Sequence, residues 1–561
     1  MGNHIEKWED VPLEKYRRQT FRLQRRIFSS SKRGDQKSMH SLQQLLIGSF
    51  AARCVAVETV AEVNAGKDTA GVDGKHSLTD PQKLRLAREL SLAQEISPVR
   101  RVWIEKPGSV EKRPLGIPTL QDRALQALIA HALEPQWEAR FSGGMFGFRK
   151  GRSCHDAIGL IRSSIQFNPK WVLDADIEKF FDRVNHEALL EKLNTFPVLR
   201  ATIRRLLKSG VLEDAILTLS VKGTPQGGVL SPLLANVVLC GLEETIKSES
   251  QKWILDDGKK PKREPVVAIY ADDFVVLHER REVIERTREL IANWLKPMGL
   301  TLHPEKTKIV HTLEEHAEKA GFDFLGHHIQ QFRTGKHAVK ACFKQIYTHI
   351  SPSKKAIKRA YQRAAGIIDE MISGPGGTKA AGRQSAEEIL IYRLNRLIRG
   401  WSNYFQHANS KRAYSRLDHL VWWKLWRSLI RRHRNIGRRE IVEKFFNGGH
   451  PWQFNCPSNG PQGKATLIHF ADTAIARHFS VRKEKSFYDG DWPYWATRRG
   501  SYPALPDGSA RLLKRQHGRC AKCGSPFELT DRFEIVLQSH RGPTGTFPRK
   551  ALVHVRCVSA N

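Results

Sequence analysis

The sequence predicts a multidomain α+β protein organised around a ferredoxin-like sheet, and three observations carry that prediction. Residues 170 to 330 read as strand, helix, strand pair, helix and strand. Inside that stretch, two apolar runs, Pro265 to Ile269 and Phe274 to Leu277, flank the adjacent carboxylates Asp272 and Asp273, the pattern of a β-hairpin with acids at its tip. From Ala356 onward the pattern turns helical, interrupted by a flexible loop at Gly374 to Gly377. A chain of 561 residues can bury several cores, and its length suggests about three or four domains.

Taken in order, residues 13 to 28 place Tyr16, Thr20, Leu23 and Ile27 on one face of a helix. Arg17, Arg18, Arg22, Arg25 and Arg26 turn away without acids to pair with, a face that suits RNA or solvent equally. Thr69 to Gly74 is a glycine-punctuated turn. Val102 to Pro107 and Lys112 to Pro118 read as two short strands around a basic loop. Such a ribbon can lay Lys106 and Arg113 over a triphosphate, although an ordinary charged hairpin has the same pattern. Phe146 to Arg149 and Gly151 to Ser153 form a glycine-bent basic segment whose Arg149 and Arg152 can track a template backbone.

The strand Trp171 to Asp176 also ends in acid. If it brings Asp176 beside the hairpin, three hard-oxygen carboxylates meet, enough to hold two Mg²⁺ ions about 3.5–4 Å apart. Asp-Asp also favours plain turns, so the flanking strands are what give the pair its chemical meaning. Phe181, five residues on, can close against a sugar 2′ position and favour deoxynucleotides, or serve as core. Gly223 to Gly228 is a turn permitting close backbone approach, with Gln226 able to hydrogen-bond a nucleotide or template. A buried helix is expected over Val229 to Cys240, a strand pair carrying the nucleotide-site candidate Lys306 over Gly299 to Val310, and a further apolar turn over Phe322 to Ile329.

Leu394 to Phe405 interleaves Arg396 and Arg399 with Trp401 and Tyr404, which suits RNA stacking or a helix core with a wet face. Residues 411 to 440 add ten Lys or Arg against two acids, which tips the balance toward nucleic acid. Residues 441 to 510 read as a loosely defined basic module. Gly463-Lys464 is not a phosphate loop, because Ser458 and Ala465 break that pattern. In the tail, Cys520 and Cys523 have zinc-knuckle spacing and Cys557 offers a third thiolate, with His554 or His540 as the fourth ligand. The other cysteines, Cys54, Cys154, Cys240, Cys342 and Cys456, are scattered as reduced core thiols would be.

With 92 Lys plus Arg against 58 acids, the net charge is +34 and its basic residues recur along the whole length, which points to a long polyanion. No apolar run reaches spanning length and the N-terminus lacks signal-peptide character, so a cytoplasmic protein without a membrane partner is expected.

The boxes Leu173 to Asp182, Gly223 to Pro232 and Tyr270-Ala271-Asp272-Asp273, in that order along the chain, resemble those of group II intron reverse transcriptases, also called maturases. The likeness runs from about residue 45 to the end. It implies a right-hand polymerase: N-terminal extension and fingers over 1–168, palm over 169–335, helical thumb or maturase domain over 336–440, a basic DNA-binding region over 441–510 and an endonuclease-like tail over 511–561. It implies that Asp176, Asp272 and Asp273 bind two catalytic Mg²⁺ and that Lys106, Arg113, Phe181, Gln226 and Lys306 form the nucleotide pocket. The expected partners are group II intron RNA, target DNA and dNTPs, with a homodimer allowed. The tail departs from the family's active nucleases: Val536-Leu537 follows Glu534-Ile535 where paired histidines belong, and Val558 follows Cys557. A structural zinc without DNA cleavage is therefore expected. Two other readings share these boxes: a host-domesticated, defence-type reverse transcriptase, and an RNA-binding maturase whose polymerase is idle.

Overall fold

A computed structural model describes residues 5–64, 66–105, 112–213, 216–218, 222–223, 227–334, 346–370, 385–446, 453–458, 463–542 and 545–558. Lys106, Gln226, Cys342, the glycine run at 374–377 and the side chain of His540 lie outside the described residues. No described helix is long and apolar enough to cross a membrane.

Three N-terminal helices, α1 (Leu13–Lys32), α2 (Gln36–Gly48) and α3 (Phe50–Glu58), pack on one another and, beyond α4 (Asp80–Glu89), on α5 (Leu120–Glu138). The buried stripe of α1 is wider than its spacing suggested, because Phe21, Gln24 and Phe28 join Thr20 and Ile27 inside. Its arginines are not all unpaired either. Arg17 is ion-paired with Glu58 of α3 and Arg18 with Glu14 one turn earlier.

The ribbon forms as expected: β1 (Val99–Glu105) pairs antiparallel with β2 (Lys112–Ile117), setting Ile104 opposite Arg113. After α6 (Cys154–Ile165) comes β3 (Trp171–Asp176); the short strands β4 (Val211–Glu213) and β5 (Ile216–Thr218) extend the ribbon's sheet in the order β2-β1-β4-β5. The hairpin strands β6 (Val266–Tyr270) and β7 (Asp273–His278) then join β3 and β8 (Lys308–His311) in a second sheet, ordered β6-β7-β3-β8. With the helix Arg281–Leu295 between β7 and β8, this is the βαββαβ connectivity of a ferredoxin-like unit. The strand pair expected over 299–310 is a single strand. Upstream of β8 only Leu302 bridges, to Ile177, because Pro304 lacks a donor and residues 303–307 close a turn through Thr307 N to His303 O (3.0 Å). The apolar turn expected over 322–329 joins β9 (Phe322–Phe324) to β10 (His327–Arg333), which pairs in turn with β11 (Ile346–Pro352).

The helices Lys354–Ile368, Ala386–Phe405, Lys411–Arg432 and Arg438–Phe445 share a core with Phe454, Cys456, Leu467 and Phe470. One core therefore runs across residue 440. Asn395 donates to Thr466 O (2.9 Å) and accepts from Ile468 N (2.9 Å), while Asp418 accepts from Phe470 N (2.7 Å) and Ala471 N (3.0 Å). Residues from Val481 onward go elsewhere. Phe487, Tyr488, Trp495, Leu513 and Leu552 share a core with Phe21, Phe28, Phe146 and the sheet residues Val275 and Leu277. The stretch read as one basic module is thus divided between two cores, which its irregular pattern concealed.

Candidate polymerase site and zinc cluster

Strand register assembles the acidic site. In the β3–β7 pair Asp176 lies opposite Asp273, and in the β6–β7 hairpin Tyr270 lies opposite Asp273, leaving Ala271 and Asp272 as the turn. Ala271 takes a left-handed conformation (φ 57°), which a non-glycine residue adopts only where its surroundings hold it. The brace is the segment 144–147. Ile269 N donates to Gly144 O and Phe146 N to Ile269 O (both 2.8 Å), and Asn236 Nδ2 fastens Gly147 O (2.8 Å). A side chain at Gly147 would collide with the backbone nitrogen of Ala271, so the glycine is required for this approach.

Burial and neighbouring charge raise the proton affinity of the two hairpin acids. Asp272 is half-buried and Asp273 reaches the surface, though protein crowds both from most sides. Desolvation first, then the charges of Asp272 and Asp176, lifts Asp273 to about 6, against the pull of Lys306 and Arg113. Asp272 is raised by desolvation and by Asp176. Asp174, two residues before Asp176 and on the same strand face, is lifted to about 7 by burial and then by Asp273, Asp323 and Asp176. The sequence reading passed over Asp174, although the alternation in Leu173-Asp174-Ala175-Asp176 contains it. Lys306 Nζ lies 2.7 Å from Asp176 Oδ2. The charge of Arg113 on the ribbon draws both hairpin acids the other way, toward lower proton affinity.

Phe181 is half-buried and meets Phe180 edge-on at 5.2 Å. Gly223 seats the next loop behind it: its nitrogen donates to Val184 O (2.9 Å), and a Cβ there would lie 2.6 Å from Phe181 O.

The nucleic-acid candidates divide. Arg149 is not available to a template: its guanidinium is buried in a bidentate pair with Glu138 (2.8 and 2.9 Å) and donates to Ser142 O and Met145 O. Arg152 is likewise committed, donating to Gly143 O, Lys483 O and Lys485 O, and burial holds its pKa down to about 10. Both fold the 142–152 segment instead of presenting charge. Arg396, Trp401 and Tyr404 line one groove of about 630 Å³ together with Arg363 and Arg393. Tyr404 contributes only its ring there, since its hydroxyl donates to Leu325 O (2.9 Å). Arg399 is exposed on the same helix but does not line the groove. On α1, Arg22, Arg25 and Arg26 face a cleft of about 900 Å³ shared with Arg33 and Lys37.

In the tail His554 lies with the three cysteines, while the side chain of His540 is outside the described residues. Ligand atoms of Cys520, Cys523, His554 and Cys557 all lie within 4.8 Å of one another. The Cys520-to-Gly524 turn is closed by Gly524 N to Cys520 O (2.9 Å), and the hairpin of β12 (Phe533–Gly542) and β13 (Gly545–His554) delivers His554. Its Nε2 lies 3.2 Å from Asp531 Oδ2, the carboxylate that orients a metal-binding imidazole. Three thiols and one imidazole are a tetrahedral zinc donor set. The oxygens of the aspartate triad are not gathered to that degree, and Lys306 supplies part of their counter-charge.

Comparison with known families agrees with this geometry. Residues 104–329 match the model for reverse transcriptase (RNA-dependent DNA polymerase), residues 8–90 that for the N-terminal domain of reverse transcriptase, and residues 378–446 that for the group II intron maturase-specific domain. Protein YkfC of Escherichia coli K12 is 31% identical over 305 residues, 48% of this chain and 78% of that protein. The chain belongs to the group II intron reverse transcriptase/maturase family. The group II intron-encoded protein LtrA of Lactococcus lactis is 26% identical over 506 residues, covering 78% of this chain and 79% of LtrA. Maturase-like protein 1 of Euglena gracilis is 33% identical over 251 residues, 42% of this chain and 52% of that maturase. In this family setting the acidic hairpin lies inside the reverse-transcriptase match, and Arg396, Trp401 and Tyr404 lie inside the maturase match.

Proposed function

We propose that this group II intron reverse transcriptase/maturase binds its intron RNA, assists splicing, and copies the RNA into DNA from a target-site primer. The β6-β7-β3-β8 sheet serves as palm, the ribbon as part of the fingers and the helices from 354 to 432 as thumb. The observation that carries the reading is the register that sets Asp176 opposite Asp273 at the hairpin tip. Hard carboxylate oxygens suit Mg²⁺, and Asp176, Asp272 and Asp273 would hold it. When bound, two such ions activate a primer 3′-hydroxyl and stabilise the leaving pyrophosphate. Arg113 and Lys306 neutralise the incoming triphosphate, and Lys106 and Gln226 complete that pocket. Arg396, Trp401 and Tyr404 contact the nucleic acid from the thumb groove, and Arg399 adds charge beside it. The direct test is extension of a DNA primer on an RNA template with dNTPs and Mg²⁺. No extension on any template would overturn the polymerase reading.

Phe181 sets sugar choice in this scheme. Phe181→Ala removes the ring that would meet a 2′-hydroxyl, and ribonucleotide incorporation relative to dNTP should rise about tenfold or more, the scale of relieving one steric contact. Unchanged discrimination would assign Phe181 to the core alone.

The tail holds zinc structurally and does not cut DNA, since Val536 and Leu537 can neither accept a proton from water nor hold a metal at a phosphate. Mobility then draws its primer from elsewhere, such as a nascent strand. Protein prepared without chelator should contain stoichiometric zinc that Cys520→Ser and His554→Gln remove, with lower tail stability. A specific nick in target DNA that disappears on deleting residues 515–561 would refute the first claim. Zinc-free wild-type protein would refute the second.

A further inference from the structure

The acidic hairpin is held by residues outside its own sheet. The segment 144–147 runs alongside β6, with Met145 bridged to Ile269, and then passes the turn, where a side chain on Gly147 would collide with Ala271 N. Two buried side chains fasten its ends. Glu243, on the helix Leu242–Ser250, accepts from Gly144 N (2.8 Å) and is itself paired with Lys247 (2.6 Å). Asn236, on the helix Ser231–Leu239, donates through Nδ2 to Gly147 O (2.8 Å).

Packing alone does not call for an amide at 236. Leu233, Leu234, Ala235, Val237, Val238 and Leu239 around it are all buried, and Asn236 itself is only 2% exposed. Asparagine is a weak helix former, and a buried amide costs stability unless its hydrogen bonds are met, so a leucine would suit this helix better. What the amide adds is a fixed place for Gly147. Ala271, pressed by that glycine, holds the left-handed backbone (φ 57°) between Tyr270 and Asp272. If Gly147 drifts, Ala271 can relax from this strained conformation, and Asp272 moves with it.

The same helix also reaches the other side of the pocket. Leu230 N, just ahead of its first residue, donates to Gln126 Oε1 (3.4 Å), and a Cβ at Gly227 would lie 2.8 Å from Gly116 O of β2. The turn at 223–228 and the acidic hairpin therefore share one support, and Asn236 is its link to the hairpin.

We propose that Asn236 is a positioning residue for metal binding: its amide fixes Gly147, Gly147 fixes the Ala271 turn, and the turn sets Asp272 beside Asp176 and Asp273. The effect on rate rests on the polymerase reading above; the effect on Mg²⁺ binding does not.

The test compares full-length wild type, Asn236→Ala and Asn236→Asp in primer extension and in Mg²⁺ titration of the melting temperature at pH 8. A misplacement of about 1 Å costs about a hundredfold in rate. Asn236→Ala should lower kcat about ten- to a hundredfold while KM for dNTP stays within about threefold, and should need about tenfold more Mg²⁺ for its half-maximal melting shift. Asn236→Asp keeps the shape. Its ionised carboxylate cannot donate to Gly147 O but its protonated form can, so its rate relative to wild type should be higher at pH 6 than at pH 8. A packing defect has no such pH dependence. If the alanine variant does not fold, the aspartate variant decides. If wild type extends no primer yet melts higher with Mg²⁺, the polymerase reading fails and the Mg²⁺ comparison alone judges Asn236. A rise in KM that matches the fall in kcat, an unchanged Mg²⁺ requirement, a flat pH ratio for Asn236→Asp, or a wild type whose melting ignores Mg²⁺ overturns the proposal and leaves Asn236 a core contact.

Discussion

Asp273→Asn protein will fail to extend a primer, with a rate lower by about three orders of magnitude or more, yet will be more stable than wild type without Mg²⁺. The loss of rate follows if the carboxylate helps hold the ions that stabilise several kcal/mol of transition-state charge. The gain in stability follows from its raised pKa. A carboxyl at about 6 in the fold and at its ordinary value of 3.8 when unfolded binds protons more tightly in the folded state. Its ionisation opposes folding, and that cost develops as pH rises from about 4 through 6 and is full above. The amide carries no such cost. Melting temperature measured from pH 4 to 8 should therefore decline for wild type and decline less for the variant, which keeps the raised carboxyls of Asp174 and Asp272. Mg²⁺ should raise the wild-type melting temperature at pH 8 and much less at pH 5, where protons occupy the site. Equal extension rates, or a variant less stable at pH 8, would remove the acid cluster from the mechanism.

Asp156→Ala should loosen the C-terminal module from α6 and cost about 3–5 kcal/mol, the scale of breaking a buried ion pair from one side. This one carboxylate accepts from Ser153 N (2.8 Å) and Ser153 Oγ (2.9 Å), which cap α6. It also accepts from Val481 N (2.7 Å) and Arg498 (2.7 Å), and lies 2.9 Å from His478 Nε2. Burial alone would push its pKa up; the His478 bond, the Arg498 charge and the two N–H and hydroxyl donors outweigh it and bring the group to about 2. With the folded value depressed, its contribution is present above about 4 and lost as pH falls toward 2. Limited proteolysis near residues 473–480 at neutral pH should be faster in the variant. An unchanged melting temperature and cleavage rate would show that the module is held by its apolar core alone.

How much of this was legible depended on whether the deciding contact was local. The hairpin was legible because its two strands, its turn and both acids lie within thirteen residues, where period-two patterning and the Asp-Asp dipeptide reinforce one another. Asp176 could be added because its strand ends in the same chemistry. Arg149 and Arg152 misled for the opposite reason. A basic residue beside glycines reads as a phosphate contact, but Glu138 lies on the preceding helix and the carbonyls of Lys483 and Lys485 come from over three hundred residues away. Neither partner leaves a mark near the arginine. His554 joins the three cysteines only through the pairing of β12 with β13, and Asp156 showed its cap in sequence but not the arginine and histidine it also holds.

The packing of α1 also sets a timetable. Phe21 meets Phe487, Tyr488 and Tyr502 with ring centroids at 5.7, 5.8 and 5.3 Å, so during synthesis α1 waits for residues roughly 480 positions later. At about 5–20 residues per second, that wait is about half a minute to a minute and a half. Throughout it the nascent chain displays an aromatic stripe with no native cover, next to arginines that a passing RNA can occupy first. A helix made long before its cover is finished only with it, and whatever shields it during synthesis will influence how much of the protein reaches its native form.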